Sequence, residues 1–548
     1  MVIKFSSYKV NSYSLLLGLL ALLSGIIIGL ITAIFSGYSS NLVVLLSLCA
    51  FLSVLVSGLL YRFRLQDSEA LRVHTQTQLS KARQSTTALI PAPAGARSFH
   101  IPQLWSIEAL EVKADWLEKG LLLLIFMTYT RFSDVLVHTH GLPSTAQPLV
   151  LLLLMLIFFR WATGKYKQAP FRSAWLRASI LLASYGLVRF VSLLYAADFA
   201  PAQEALLDYV KDAIIAIIVV IVLRRGASLR RVIWALLAAG TFIGTISVIQ
   251  YMSGAFYYDY LGFGTANVQH IIGKTEDFRI SGSIGEPNFY AQTLLPLVAL
   301  AFERMCNEKG RLRRLLAAWA LVACVLAIIF TFSRGALVAL AAMVAMMIVL
   351  RPPRPKEFLV ALLIILPALP FVPAQYVERV TTLIDVLPGM NTDPRSEVSF
   401  RGRTSELIAG WMMFSDNPLF GVGLNNYPVH YQDYARRIGL ETRREPRAPH
   451  SLYIEVMAEL GFFGIVTFGA LLWNMFHGIH LARKMCRRVG LVEYGNLVTG
   501  VGVGLMGYLT AAIFLHAAYP RFWWVLVGVG LAIPQLVRNE KGLLYGNQ

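Results

Sequence analysis

Apolar runs of about 17–25 residues, the length a helix needs to cross a bilayer, recur along the whole chain. Little else about the sequence constrains its fold as strongly. They predict helices near 13–36, 42–60, 120–138, 147–163, 174–195, 209–223, 232–252, 288–303, 315–332, 336–350, 358–372, 450–475, 495–516 and 522–537. The expectation is an all-α polytopic membrane protein with about fourteen transmembrane helices. Of its 548 residues, 56% are hydrophobic and only 15% charged, too little charge to cover a soluble protein of this length. The N-terminal run Tyr13–Phe35 is too long for a signal-peptide core and a second run follows at once, so the two read as a retained helical hairpin.

The connectors give an orientation. Arg62, Arg64, Arg72, Lys81 and Arg83 follow the second helix; Arg160, Lys165, Lys167 and Arg172 the fourth; Arg224, Arg225, Arg230 and Arg231 the sixth. Arg304, Lys309, Arg311, Arg313 and Arg314 follow the eighth, Arg351, Arg354 and Lys356 the tenth, and Arg483, Lys484, Arg487 and Arg488 the twelfth. Every even connector is basic, which puts those connectors and both termini in the cytoplasm. The same placement accounts for the net charge of +18 and makes nucleic acid a poor candidate partner. Cys49, Cys306, Cys324 and Cys486 are scattered without a CxxC pair, so neither a disulfide framework nor a zinc site is implied.

The domain reading follows. Residues 1–64 form a transmembrane hairpin, 65–116 a polar cytoplasmic linker with Ala, Pro and Ser at its centre, 117–540 a membrane core, and 541–548 a cytoplasmic tail. Two outward connectors are long, Ser253–Pro287 and Pro373–Pro449. Long loops in a compact architecture are usually functional. In the second, Glu406–Phe414 has helical apolar spacing and Asp416-Asn-Pro would end that helix, so this periplasmic loop, 373–449, reads as a helical cap on the membrane surface.

Outward positive charges need a reason, because topology disfavours them. Arg279 lies in Phe278-Arg-Ile-Ser-Gly-Ser-Ile-Gly-Glu-Pro-Asn288, Arg334 in the tight turn Thr331-Phe-Ser-Arg-Gly335, and Arg401 and Arg403 in the long loop. Converging arginines would bind phosphate or diphosphate through forked hydrogen bonds; the alternative for each is headgroup contact or an ion pair with Glu378, Asp393 or Glu397. His450, at the mouth of the twelfth helix, either takes a proton from an acceptor hydroxyl or caps the helix. Glu455 and Glu459, further down that helix, are candidates for function or for packing against Arg189 or His516. Arg131 and Asp134 are spaced to neutralise each other. The sequence has no GxxxxGK[ST], no HExxH and no DxD-type pair in an outward loop, so neither ATP hydrolysis nor metal chemistry is expected, and arginines take the charge role of a cation.

Four stretches, in order, resemble the O-antigen ligase and O-antigen polymerase superfamily of bacterial membrane glycosyltransferases. They are Gly282-Ser-Ile-Gly-Glu-Pro-Asn-Phe-Tyr-Ala291; Phe332-Ser-Arg-Gly-Ala336; Arg403 with Asp416-Asn-Pro-Leu-Phe-Gly-Val-Gly-Leu-Asn425; and His450-Ser-Leu-Tyr-Ile-Glu-Val-Met-Ala-Glu-Leu-Gly-Phe-Phe-Gly464. The resemblance covers roughly residues 115–540 and departs at Leu407, where the family often has Trp; Trp411 follows one turn later. It implies a GT-C-like twelve-helix core in the bacterial inner membrane and a metal-independent, inverting glycosyl transfer on the periplasmic face without a cofactor. The implied partners are an undecaprenyl-diphosphate-linked glycan donor, a glycan or glycolipid acceptor, the bilayer and other surface-polysaccharide assembly proteins. His450, Arg334 and Arg403 would be catalytic, and Arg279, Glu286, Asn288, Arg401 and Glu455 would contact substrate. Ligase and polymerase are not distinguished. A transporter or flippase of lipid-linked sugar is the competing reading, but no internal repeat of the kind transporters carry is visible.

Overall fold

The computed structural model describes residues 113–163, 171–269, 277–350, 398–440, 446–516 and 520–545. The chain divides into units 1–104 and 105–548, and all described residues belong to the second. The expected N-terminal hairpin, nearly all of the linker, the helix near 358–372 and the first part of the long loop lie outside the described residues.

Helices form where the apolar runs predict them. They are α1 (Trp116–Thr130), α2 (Phe132–His140), α3 (Ala146–Ala162), α4 (Phe171–Ser192), α5 (Phe199–Val222), α6 (Gly226–Met252), α7 (Pro287–Asn307), α8 (Arg311–Phe330) and α9 (Arg334–Leu350). After the cap helices α10 (Val398–Asp416) and α11 (Tyr427–Ile438) come α12 (Leu452–Arg488), α13 (Val492–Ala511) and α14 (Pro520–Tyr545). Among the described residues five helices are long and apolar enough to cross a membrane: 174–192 of α4, α6, α8, α12 and 521–539 of α14. A sixth is added if α1 and α2 count as one bent span. The protein is therefore a predominantly helical membrane protein.

Two expected spans differ in an instructive way. The one near 120–138 is broken into α1 and α2, bent by 54°. Arg131 sits at the break with φ 55°. Its Nε pairs with Asp134 at 3.0 Å, the i,i+3 pair expected, and its Nη1 donates to the Ser283 carbonyl at 3.1 Å. The break thus carries the guanidinium out of the helix to a neighbouring loop. The span near 288–303 becomes α7, which carries Gln292, Thr293, Glu303 and Arg304 and is buried along nearly its whole length. Protein rather than lipid encloses α7, so its polar groups find partners that hydrocarbon would not offer.

The long connector before α7 is not all loop. Strand β1 (Thr265–Gln269) pairs antiparallel with β2 (Asp277–Gly282), Asn267 opposite Arg279, with an irregularity between Thr265 and Ala266. These strands of five and six residues are too short to have registered against a helical reading.

The basic connectors meet at one end of the bundle. Arg230, at the start of α6, contacts Glu308 after α7, and Arg231 pairs with Glu118 of α1 at 2.6 Å. Arg160, closing α3, pairs with Asp115 at 2.8 Å, and Arg483 of α12 donates to the Leu350 carbonyl that ends α9. At the centre lies Arg304, fully buried, with Glu303 at 2.6 Å, Glu308 at 3.2 Å and Glu493 at 3.8 Å. A buried guanidinium without such partners would be strongly destabilising.

The cap lies against α12 and has its own small core of Ala409, Met413, Val422, Tyr427, Tyr431, Ala435 and Ala458. The helix expected over Glu406–Phe414 is real, begins earlier at Val398, and stops at Asp416 as Asp-Asn-Pro predicts. Helix α11 was not anticipated.

Candidate functional site

The loop between α10 and α11 is built into a break in α12. At Gly461 (φ 62°, ψ −153°) the helical path is interrupted. The groups freed by the break are taken up by the loop. Phe462 and Phe463 donate to the carbonyls of Pro418 and Leu419 at 2.8 and 3.3 Å, while Val422 and Gly423 donate to those of Ala458 and Glu459 at 2.9 and 3.0 Å. The fit requires glycine on both sides. A β-carbon on Gly461 would stand 2.6 Å from the Leu419 backbone, and one on Gly421 2.3 Å from that of Glu459. The Glu459 carboxyl then closes the loop, accepting the N–H of Asn425 at 2.7 Å and of Tyr427 at 3.2 Å. Two motifs some forty residues apart, Gly-Val-Gly-Leu-Asn and Ala-Glu-Leu-Gly, are one structural unit.

That unit presents α10 to the mouth of α12. Glu406, on α10, is buried, and its Oε2 lies 2.6 Å from Nδ1 of His450. Arg447 Nη1 stands 3.0 Å from Oε1, at ion-pair distance but off the hydrogen-bond line. The Tyr427 hydroxyl donates to the Glu406 carbonyl, and the Tyr431 hydroxyl to Ser405 Oγ at 3.1 Å. Burial pushes the Tyr427 phenol well above its ordinary pKa, so it stays a donor. Arg403 lies one helical turn before Glu406 on the same helix, a spacing that puts the two side chains on one face.

The connector after α13 draws in the remaining elements. The Leu452 N–H, opening α12, is shared between the carbonyls of Ala512 and Leu515 at 3.0 and 2.8 Å. The first turn of α9, carrying Arg334, packs on the same connector: a β-carbon on Gly335 would lie 3.1 Å from Phe514. His516 stands between two neighbours, its ring 6.1 Å from that of His450 and 4.9 Å from that of Phe289. Burial, and then the adjacent His450, hold the His516 imidazole down at about 4.

The stretch around Asn288 forms a wall of this region. Glu286 caps α7, accepting from the Phe289 N–H and from Asn288 Nδ2, both at 2.8 Å. Asn288 Oδ1 accepts from Arg279 Nη2 at 3.0 Å, and Arg279 Nε donates to the Thr331 carbonyl at 2.7 Å. Buried Arg279 therefore holds the turn that leads into Arg334.

Of the residues singled out in the sequence, Arg279, Glu286 and Asn288 are bonded to one another, and the Arg334 turn, Asn288's neighbour Phe289 and His450 reach one connector. Arg403 joins them through α10, Glu455 lies one turn into α12, and Arg401 is exposed. Arg189 bonds to the Tyr185 hydroxyl and the Ala205 carbonyl, each at 3.4 Å, and Glu459 accepts hydrogen bonds from the cap loop while feeling the charge of Arg189, in line with the packing considered above. Sequence reasoning missed Glu406 and Arg447 as site residues. Arg447 was open to discovery by the rule that marked Arg334, since it too is a positive charge in a loop that the charge pattern reads as outward.

The fold and this grouping define a polytopic helical membrane protein with a polar arginine- and histidine-bearing site at the end opposite its basic connectors. Residues 319–469 match the family model described as O-antigen ligase, and this match supports the likeness of the segment to the O-antigen ligase and polymerase superfamily. The matched stretch runs from within α8 to within α12 and so contains the Arg334 turn, the cap and His450, while Arg279–Asn288 and His516 fall outside it. No curated protein matches the chain.

Proposed function

We propose that the protein transfers a glycan from undecaprenyl diphosphate to an acceptor sugar hydroxyl, with inversion, on the periplasmic face of the bacterial inner membrane. In this reading it has about fourteen spans and cytoplasmic termini. The family supports a ligase- or polymerase-type role in polysaccharide assembly. The observation that carries the finer reading is the convergence of the Arg334 turn, the His450 mouth of α12 and the Asn288 wall on the connector Ala512–His516.

In the reaction, the acceptor oxygen attacks the anomeric carbon, its proton passes to His450, and the diphosphate departs with the electron pair of the broken bond. Arg334 and Arg403 offset the charge that develops on the leaving diphosphate, with Arg401 at the rim. Arg279, Glu286 and Asn288 form the wall against which the sugar lies and keep the Arg334 turn in place. Glu455 contacts the substrate from below. The energy is stored in the diphosphate linkage, so neither nucleotide nor metal is needed.

The test is transfer in proteoliposomes supplied with undecaprenyl-diphosphate glycan, with EDTA present and no ATP. A second lipid-linked glycan and a glycolipid are offered as separate acceptors. Chain growth on the first identifies a polymerase, and transfer to the second a ligase. His450→Ala and Arg334→Ala are expected to lower the rate by about 100-fold or more. Full-rate transfer by both variants, correctly inserted, would overturn the assignment.

A further inference from the structure

We infer that Glu406 is the positioning residue for His450, and that Arg447 holds Glu406 in turn. The inference rests on the proposed role of His450 as base. Nothing in the sequence motifs or in the family resemblance drew attention to either residue.

Glu406 comes from the cap and His450 from the mouth of α12, 44 positions apart, yet Oε2 and Nδ1 are 2.6 Å apart. A carboxylate only accepts hydrogen bonds, so the imidazole must carry a proton on Nδ1. That fixes the tautomer: Nε2 is left as the lone-pair nitrogen, the atom able to take a proton from a hydroxyl. The ring keeps an open edge, since the His450 side chain is 33% exposed whereas that of Glu406 is 1% exposed. The buried member of the pair is thus the orienting group and the accessible member the reacting one.

Glu406 is itself over-determined. Its second oxygen faces Arg447 at 3.0 Å, and its backbone carbonyl is tied by the Tyr427 hydroxyl. Tyr427 is fixed in turn through its N–H to Glu459. The glycine interlock at α12 therefore sets where Glu406 stands, and Glu406 sets which nitrogen of His450 is available. When the acceptor oxygen bonds to the anomeric carbon, its proton moves to Nε2. The Nδ1 proton stays on the ring, and the imidazolium so formed lies against the Glu406 carboxylate until the proton leaves to water. Glu406 touches neither substrate nor proton in transit.

The assay is the proteoliposome reaction above, with undecaprenyl-diphosphate-linked glycan titrated as donor. Glu406→Gln is nearly isosteric but uncharged, and its amide faces Nδ1 either with a donating NH2, which disfavours the Nδ1–H tautomer, or with a neutral oxygen that accepts more weakly than the carboxylate. The expected result is a kcat lower by about 10- to 1,000-fold with donor KM within about 2-fold of wild type, the pattern of an interaction made only in the transition state. Placed on His450→Ala, the same substitution is expected to cause no further loss, because its only route to the reaction is gone. A purely structural role would instead raise KM or lower the residual rate again. Should Glu406→Gln not accumulate folded, the charge-neutral Glu406→Gln/Arg447→Gln pair replaces it with the same expectation. Wild-type kcat in Glu406→Gln while His450→Ala is inactive overturns the positioning role and leaves the transferase reading standing. Full activity in His450→Ala overturns the reading itself.

Discussion

The Oε2 atom of Glu459 accepts the backbone N–H of Asn425 across 2.7 Å, joining two positions 34 residues apart. Its other oxygen takes the Tyr427 N–H at 3.2 Å. Glu459 is buried, so no water stands ready to replace it. Glu459→Ala leaves the Asn425 and Tyr427 N–H groups without this acceptor, and the buried one at Tyr427 costs about 1–3 kcal/mol. Glu459→Gln retains one acceptor oxygen and should lose about half as much. Thermal melting in detergent, together with the rate of proteolytic nicking between 417 and 427, checks both. An Ala variant that melts with wild type would show that the loop is held by its backbone pairing alone.

The glycine at the break in α12 gives a sharper contrast. Gly461 holds φ 62° and ψ −153°, a region essentially reserved for glycine, and its missing β-carbon would stand 2.6 Å from the backbone of Leu419. Gly461→Ala should therefore destabilise by at least about 1–3 kcal/mol and detach the cap loop. Gly469, two turns further along the same helix, has nothing within 4 Å of its would-be β-carbon. Gly469→Ala should raise stability by up to about 1 kcal/mol, since alanine is the better helix former. Melting temperatures that move in opposite directions are the expected outcome, and a matching fall in both would remove the argument.

These positions also show what could be read without coordinates. The membrane helices were legible because each is a long apolar run, and α5 to α9 begin and end within a few residues of expectation apart from the early starts of α5 and α6. The bend at Arg131 was not, since a left-handed residue has no apolar signature and only its tertiary contacts with Ser283 and Ile284 justify it. The strands escaped because pairing across the 265–282 connector is a non-local fact. At the site, Arg334 and Arg279 stood out as charges where topology disfavours charge. Arg447 had the same credential but sits in Glu441-Thr-Arg-Arg-Glu-Pro-Arg447, which looks like an ordinary mixed-charge surface. Glu406 looked like the polar face of a cap helix. Only the 2.6 Å approach of His450 from a different element gives it meaning. The place of His516 was not legible either, since its ring contacts with His450 and Phe289 join three separate elements.

His516 makes the fold sensitive to acid. Burial, assisted by His450, lowers its pKa from 6.5 to about 4 in the folded protein. Between these values the unfolded chain binds a proton at this ring that the folded chain does not, so stability rises with pH across the window. The contribution is fully present above about pH 6.5 and is progressively lost as pH falls towards 4. Wild-type melting temperature should therefore drop between pH 7 and pH 4.5, and His516→Gln, which keeps a polar side chain but cannot titrate, should drop less steeply. Because His516 packs on the connector that bonds to Leu452, acid should loosen the mouth of α12 first, visible as earlier hydrogen exchange at Leu452 than at mid-helix residues such as Leu471. Identical slopes for the two proteins would place the acid sensitivity elsewhere.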